Sequence, residues 1–165
     1  MNEKHNNDFS LSPNSNGYDG DPKWSLRVMG DWVNDIHQMH KKYGVHDWVE
    51  KNKGNKELMS KYLEFRLKFL QEELDETRAA FMIDKNPEEI VDGLIDLCVV
   101  AIGTLDAFNV SAHDAWLQVH DANMTKEVGV KESRPNPLGL PDLVKPEGWK
   151  GPSHRNNHGY FSNAV

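Results

Sequence analysis

The chain has one cysteine, Cys98, set in an apolar run. A single thiol cannot staple its own chain, which excludes a disulfide framework and fits a reducing compartment. Its expected role is that of a small buried hydrophobe rather than a nucleophile. Long apolar runs are also missing. The longest, Leu97 to Leu105, is too short to span a bilayer. No basic segment followed by an apolar stretch marks a signal peptide. A cytoplasmic protein with no membrane partner is therefore expected. Nor is there an excess of positive charge. The formal net charge is −7 over 165 residues, which argues against nucleic acid as a general partner. No internal repeat is visible, and no segment reads as a convincing strand. No Glu-x-x-His motif occurs, which removes the di-iron carboxylate bundles.

What is present is one domain's worth of helix between two polar ends. Residues 1–22 are rich in Asn, Ser, Gly and Asp and are expected to form a disordered arm. Residues 23–127 carry the core. Residues 128–165 hold recurrent Pro and Gly, and are expected to form an extended, relatively basic tail with Lys131, Arg134, Lys145, Lys150 and Arg155.

Four helical patterns fill the middle, so the fold class is all-α. The first spans about Trp24 to Tyr43, with Val28, Trp32, Ile36 and Met39 at helical spacing and Gly44 as its stop. The second spans about Lys56 to Ile83. Its main stripe is Leu63, Leu67, Leu70, Leu74, Thr77 and Phe81, beside a second stripe through Arg66, Phe69, Glu73, Glu76 and Ala80. The third starts at an Asn86 cap with Pro87 in its first turn and Glu89 at capping-box spacing. It runs to about Phe108 and is apolar nearly all round after Leu94, as a central helix would be. The fourth runs from Ser111 to about Lys126.

Two acidic clusters interrupt this apolar sequence. Glu72, Glu73 and Glu76 lie on the second helix, at spacings that place them one turn apart on one side. Asp92 and Asp96 lie four apart on the third. The turn at Asp84 to Asn86 is about equally far from both, so an antiparallel pair brings them to one height. An isolated Glu-Glu-x-x-Glu is most simply a solvated helix face, and Asp92 alone suits a first turn. Asp96 sits among Leu94, Ile95, Leu97 and Val99, where an unpaired charge is costly. Facing carboxylates need a cation, and hard oxygen ligands select Mg²⁺, with Mn²⁺ as substitute. Glu73, Glu76, Asp92 and Asp96 are the candidate metal ligands. Glu72 is the candidate base that takes a proton from an attacking water. Arg66 and Arg78 offer possible phosphate contacts, with an exposed salt bridge as the plainer role.

These residues resemble the all-α nucleoside triphosphate pyrophosphohydrolase superfamily, which includes MazG-like and phosphoribosyl-ATP pyrophosphohydrolase-like enzymes. The pattern of that family is Glu-Glu-x-x-Glu followed on the next helix by Glu-x-x-Asp. The first motif is complete at Glu72, Glu73 and Glu76. In the second, Gly93 stands where Glu is expected if Asp96 is the family's Asp. Asp92 is then the substitute, while Glu89 to Asp92 satisfies the motif one turn earlier. The resemblance covers about Asp31 to Lys126 and implies a four-helix MazG-like bundle. It further implies metal-dependent hydrolysis of a nucleoside triphosphate to monophosphate and pyrophosphate. Asn123 and Lys126 resemble the Asn-x-x-Lys region of phage-type members, and Lys145 to Trp149 resembles their tail. The likeness implies that Asn123 and Lys126 bind substrate phosphates, that the substrate leans to a purine such as dGTP, and that the assembly is a homodimer or homotetramer in a host cytoplasm. Trp32, Trp48, Phe69 and Trp116 are candidates for stacking a base, although each type is more often core.

Three other readings stand beside it. The His-Asp dipeptides at His46, His113 and His120 suggest a metal phosphohydrolase of another class, but the helical region is small for one. The Gly93 departure suits a helical binding module that has lost activity. Phosphoribosyl-ATP hydrolysis is the third.

Overall fold

The computed structural model describes residues 31–133, 136–140 and 142–165. The expected arm at 1–22 and the start of the first helix lie outside these residues. Five α-helices are present among the described residues: α1 Trp32–Lys42, α2 Val45–Asn52, α3 Lys56–Ala79, α4 Pro87–Ala107 and α5 Ala112–Met124. Two short antiparallel strands follow, β1 Glu127–Gly129 and β2 Asp142–Val144, with Val128 opposite Leu143. A 3-10 turn, Gly159–Asn163, closes the chain. No helix among the described residues is long and apolar enough to cross a membrane.

Local sequence explains most boundaries. Gly44 ends α1 in a left-handed conformation (φ 75°), which glycine adopts without a Cβ clash, and the chain re-enters helix at once as α2. Sequence periodicity read α2 as a connection. Asn55 caps α3 by accepting from the Leu58 N–H at 3.1 Å. The Asn86 side chain accepts from the N–H groups of Glu88 and Glu89, ahead of which Pro87 fits the first turn. Ser111 caps α5 through Asp114 at 3.3 Å. The second helical pattern is α-helical to Ala79 and then widens into a π turn over Ala80–Asp84, closed by Lys85 at φ 53°.

Helix α4 is central, packing on α1, α2, α3 and α5. The face α3 turns inward combines the two expected stripes, with Leu63, Leu70 and Thr77 from the leucine stripe and Arg66, Phe69 and Glu73 from the polar one. Met59, Arg66 and Ala80 are buried on it, and Leu70, Glu73 and Thr77 are half-buried. Leu67, Leu74 and Phe81 are 56%, 49% and 58% exposed. The two stripes are adjacent, and the glycines of α4 meet one residue of each. A Cβ at Gly103 would lie 3.1 Å from the Arg66 guanidinium, and one at Gly93 would overlap Thr77. The bundle thus closes on the seam between the stripes, with Arg66 from one and Thr77 from the other against α4.

Arg66, expected in an exposed salt bridge, is buried instead. It donates to the Thr104 hydroxyl at 3.0 Å and the Val100 carbonyl at 2.9 Å. Burial lowers its pKa, but a guanidinium keeps its charge.

The described part of the tail completes the core. Phe108, fully buried, stacks between Tyr62 and Phe161, the latter at 4.4 Å between centroids. Ala164 is buried with Val49 and Met59. The Asn157 amide pairs with both backbone groups of Ser111 at 2.8 Å, as a strand partner would. A Cβ at Gly159 would lie 2.0 Å from the Phe108 carbonyl oxygen, while its own φ is 50°. Only glycine lets the tail approach the end of α4 this closely.

Candidate active site

The left-handed turn at Lys85 and the Asn86 cap fold α4 back along α3, and the two acidic clusters meet. Glu73 is half-buried at their centre. Its carboxyl is held above the usual range, first by burial and then by the charges of Asp96, Glu76, Glu72 and Asp92. Each carboxylate adds repulsion because none is far away. Asp96 is half-buried, and Glu72, Glu76 and Asp92 are exposed. Among the described residues, none of the five is in an ion pair with Lys, Arg or His. Arg66, the one basic group close in sequence on the inner face of α3, is committed to Thr104 and Val100. The site is therefore a concentration of negative charge with no counterion among the described residues. A donor set of carboxylate oxygens alone fits a hard divalent cation.

Gly93 now has a physical role. A Cβ there would fall 2.2 Å from Thr77 Oγ1 and 3.4 Å from Thr77 Cα. The Thr77 hydroxyl donates to the Glu73 carbonyl at 2.8 Å, so it is not free to swing aside. The residue that breaks the expected motif is thus a point of close approach between α3 and α4. It seats Thr77, one turn after Glu73, directly against the turn of α4 that holds Asp92 and Asp96.

Asn123 and Lys126 form a separate pair at the end of α5. Lys126 Nζ donates to Asn123 Oδ1 at 2.7 Å and lies 5.5 Å from the Trp149 ring centre. Lys145 lies 4.7 Å from the same ring. The indole is fixed by donating to the Ala122 carbonyl at 2.9 Å. Among the described residues, neither Asn123 nor Lys126 bonds to a carboxylate of the acidic crossing. Trp32, Trp48 and Trp116 are exposed, and Phe69 is half-buried.

One polar cluster was not expected from the sequence. His37, His40 and His46 converge on Asp106, with His37 Nδ1 on Oδ1, and His40 Nδ1 and His46 Nε2 on Oδ2, all at 2.7 Å. Burial holds the His40 imidazole below its ordinary pKa in spite of the aspartate. Burial would raise Asp106, but hydrogen bonds from three histidines outweigh it and hold the carboxyl low. The signal was available. Asp106 stands in apolar surroundings between Leu105 and Phe108, as Asp96 does in its own, and His37 and His40 share one helical face.

Restoring a glutamate at the crossing tests the role of Gly93. Gly93→Glu is expected to lower stability by about 1–3 kcal/mol in chemical denaturation, the usual cost of overpacking. An unchanged midpoint would show that the helices are not in close contact there.

Comparison with known proteins agrees with this geometry. Residues 46–123, from the start of α2 almost to the end of α5, match the family model for phosphoribosyl-ATP pyrophosphohydrolase. The search of curated proteins found no match, and neither did the search of solved structures. The matched span contains both acidic clusters and the crossing between them, and it supports a nucleotide pyrophosphohydrolase activity in general. The chain thus carries, at residues 46–123, a domain of the phosphoribosyl-ATP pyrophosphohydrolase family, in the MazG-like nucleotide pyrophosphohydrolase superfamily.

Proposed function

We propose that the chain hydrolyses a purine nucleoside triphosphate, such as dGTP, to its monophosphate and pyrophosphate, with Mg²⁺ at the acidic crossing. The observation that carries this reading is Glu73, whose carboxyl is raised by burial and by four other carboxylates on two helices. A site left so negative is poised for a cation, and family members are generally dependent on divalent metal. Glu73, Glu76, Asp92 and Asp96 would hold Mg²⁺, with Mn²⁺ as substitute. Bound there, the ion screens triphosphate charge and acidifies a water. Glu72, exposed at the rim, takes the proton of the water that attacks phosphorus. Asn123 and Lys126 bind phosphate oxygens, Lys126 as a point charge. In the free chain these two satisfy one another, so substrate phosphate replaces an internal contact.

The same crossing is flanked by apolar surface. Leu74 adjoins Glu73 in sequence, and Ile95 adjoins Asp96. Both are exposed, as are Leu67, Phe81, Val91 and Leu94. We assign this face to a homodimer or homotetramer, since a monomer rarely leaves so much apolar area in contact with water. Light scattering is expected to give a dimer or tetramer mass, and a monomer at micromolar concentration would contradict the assignment.

Phosphoribosyl-ATP is the second candidate substrate, favoured by the name of the matching family. Pyrophosphate release from a panel of (deoxy)nucleoside triphosphates and phosphoribosyl-ATP, with Mg²⁺, separates the two. Glu73→Gln and Asp96→Asn are each expected to lower the rate at least about 100-fold, more than loss of a group that merely supports a metal ligand. Both variants should melt no earlier than the parent without metal, because each removes repulsion. Release that is insensitive to both substitutions would sink the site. No release from any compound would favour an inactive binding module.

A further inference from the structure

We propose that His37, His46 and Asp106 bind a second divalent ion, of the imidazole-preferring zinc class, at a site separate from the acidic crossing. Asp106 follows Asp96 by ten residues on α4, about 15 Å along the axis at the α-helical rise. The two sites therefore share a helix but not ligands.

Three observations lead to the assignment. First, each of the three residues offers one ligand atom, and all of these atoms lie within 4.8 Å of one another. They arrive from three helices, α1, α2 and α4, and the left-handed turn at Gly44 is what brings His46 back beside His37. The two imidazole rings are 4.5 Å apart between centroids. Second, the set is graded from inside to outside. His40, 5% exposed, holds Asp106 Oδ2 from the interior at 2.7 Å. It would orient the carboxylate as an outer partner of a metal ligand does. His37 faces outward, with more than half its side chain exposed. Third, His37, His46 and Asp106 line one wall of an open cavity of about 610 Å³. An ion has a path in, and a water or small ligand has room in the remaining coordination position.

The donor set decides the class of ion. Two imidazole nitrogens and one carboxylate oxygen suit Zn²⁺ and its transition-metal neighbours, whereas the all-carboxylate crossing suits Mg²⁺. Metal–ligand distances of about 2.0–2.1 Å place tetrahedral donors roughly 3.3 Å apart. The 2.7 Å contacts from His37 and His46 to Asp106 would have to open by about half an ångström, a small movement for an exposed ring. Each of these two rings presents a lone pair in place of its N–H. For a neutral imidazole this is a change of tautomer, the proton passing through water to the other ring nitrogen.

The test uses the full chain, stripped with chelator and returned to excess Mg²⁺ so that the acidic crossing is filled. Zn²⁺ is titrated by calorimetry, and Co²⁺ by its visible absorption as a probe of nitrogen coordination. One equivalent of Zn²⁺ is expected to bind and to raise the melting temperature. His37→Ala, at an exposed position that should not disturb folding, is expected to weaken Zn²⁺ at least about tenfold. Asp106→Asn should weaken it as well, provided that it folds. Glu73→Gln should leave it unchanged. Two results would overturn the proposal: a parent chain that takes up no more Zn²⁺ than a His37→Ala, His46→Ala double variant, or uptake that follows Glu73 instead of His37.

Discussion

The contact between Thr77 and Gly93 sets how close α3 and α4 can come, and the placement of both acidic clusters follows from it. With no Cβ at 93, α4 rests directly on the Thr77 side chain, and that hydroxyl is tied back to the Glu73 carbonyl. Glu73 is thereby carried to within electrostatic reach of Asp92 and Asp96. Apolar packing elsewhere must offset the repulsion. The contacts suited to it lie at the other end of α4, where Phe108 stacks with Tyr62 and Phe161 and the tail is fastened by Asn157 and Asn163. Strain and compensation are thus at opposite ends of one helix. This is a common arrangement at functional sites.

Much of the fold was legible because its signals are local. Caps at Asn86 and Ser111, the stop at Gly44 and the long periodic runs of α3 and α4 each depend on a few adjacent residues. What was not legible depends on distant partners. Helix α2 has eight residues, too few turns for periodicity to tell helix from loop. The inward face of α3 takes Leu70 and Thr77 from the expected leucine stripe but turns Leu67, Leu74 and Phe81 outward, in favour of Arg66 and Glu73 on the adjacent stripe. Glycines on another helix, Gly93 against Thr77 and Gly103 against Arg66, set that seam. The return of the tail rests on Gly159 and Asn157 meeting backbone groups about fifty residues away, which no sequence period records.

The acidic crossing and the histidine cluster apply one rule with different chemistry. A carboxylate in an apolar helix needs a partner. Asp96 was read that way from the sequence, and Asp106 was not, although its setting is similar. Asp106 is satisfied within the chain by three imidazoles, whereas Glu73 and Asp96 find no basic side chain among the described residues. That contrast is why the crossing is the stronger candidate for catalysis. Its carboxylates gain most from an arriving cation and from the phosphates such a cation brings. The histidine cluster is already a stable network that an ion would only rearrange.

The central claim is that the uncompensated carboxylates at the α3–α4 crossing are a divalent-metal site. Anomalous diffraction at the manganese edge, from crystals grown with Mn²⁺ and a non-hydrolysable deoxynucleoside triphosphate, tests it most directly. A manganese peak about 2.1 Å from carboxylate oxygens of both Glu73 and Asp96 is the expected result. Manganese bound elsewhere, with Glu73 and Asp96 uncoordinated beside a bound nucleotide, would contradict it.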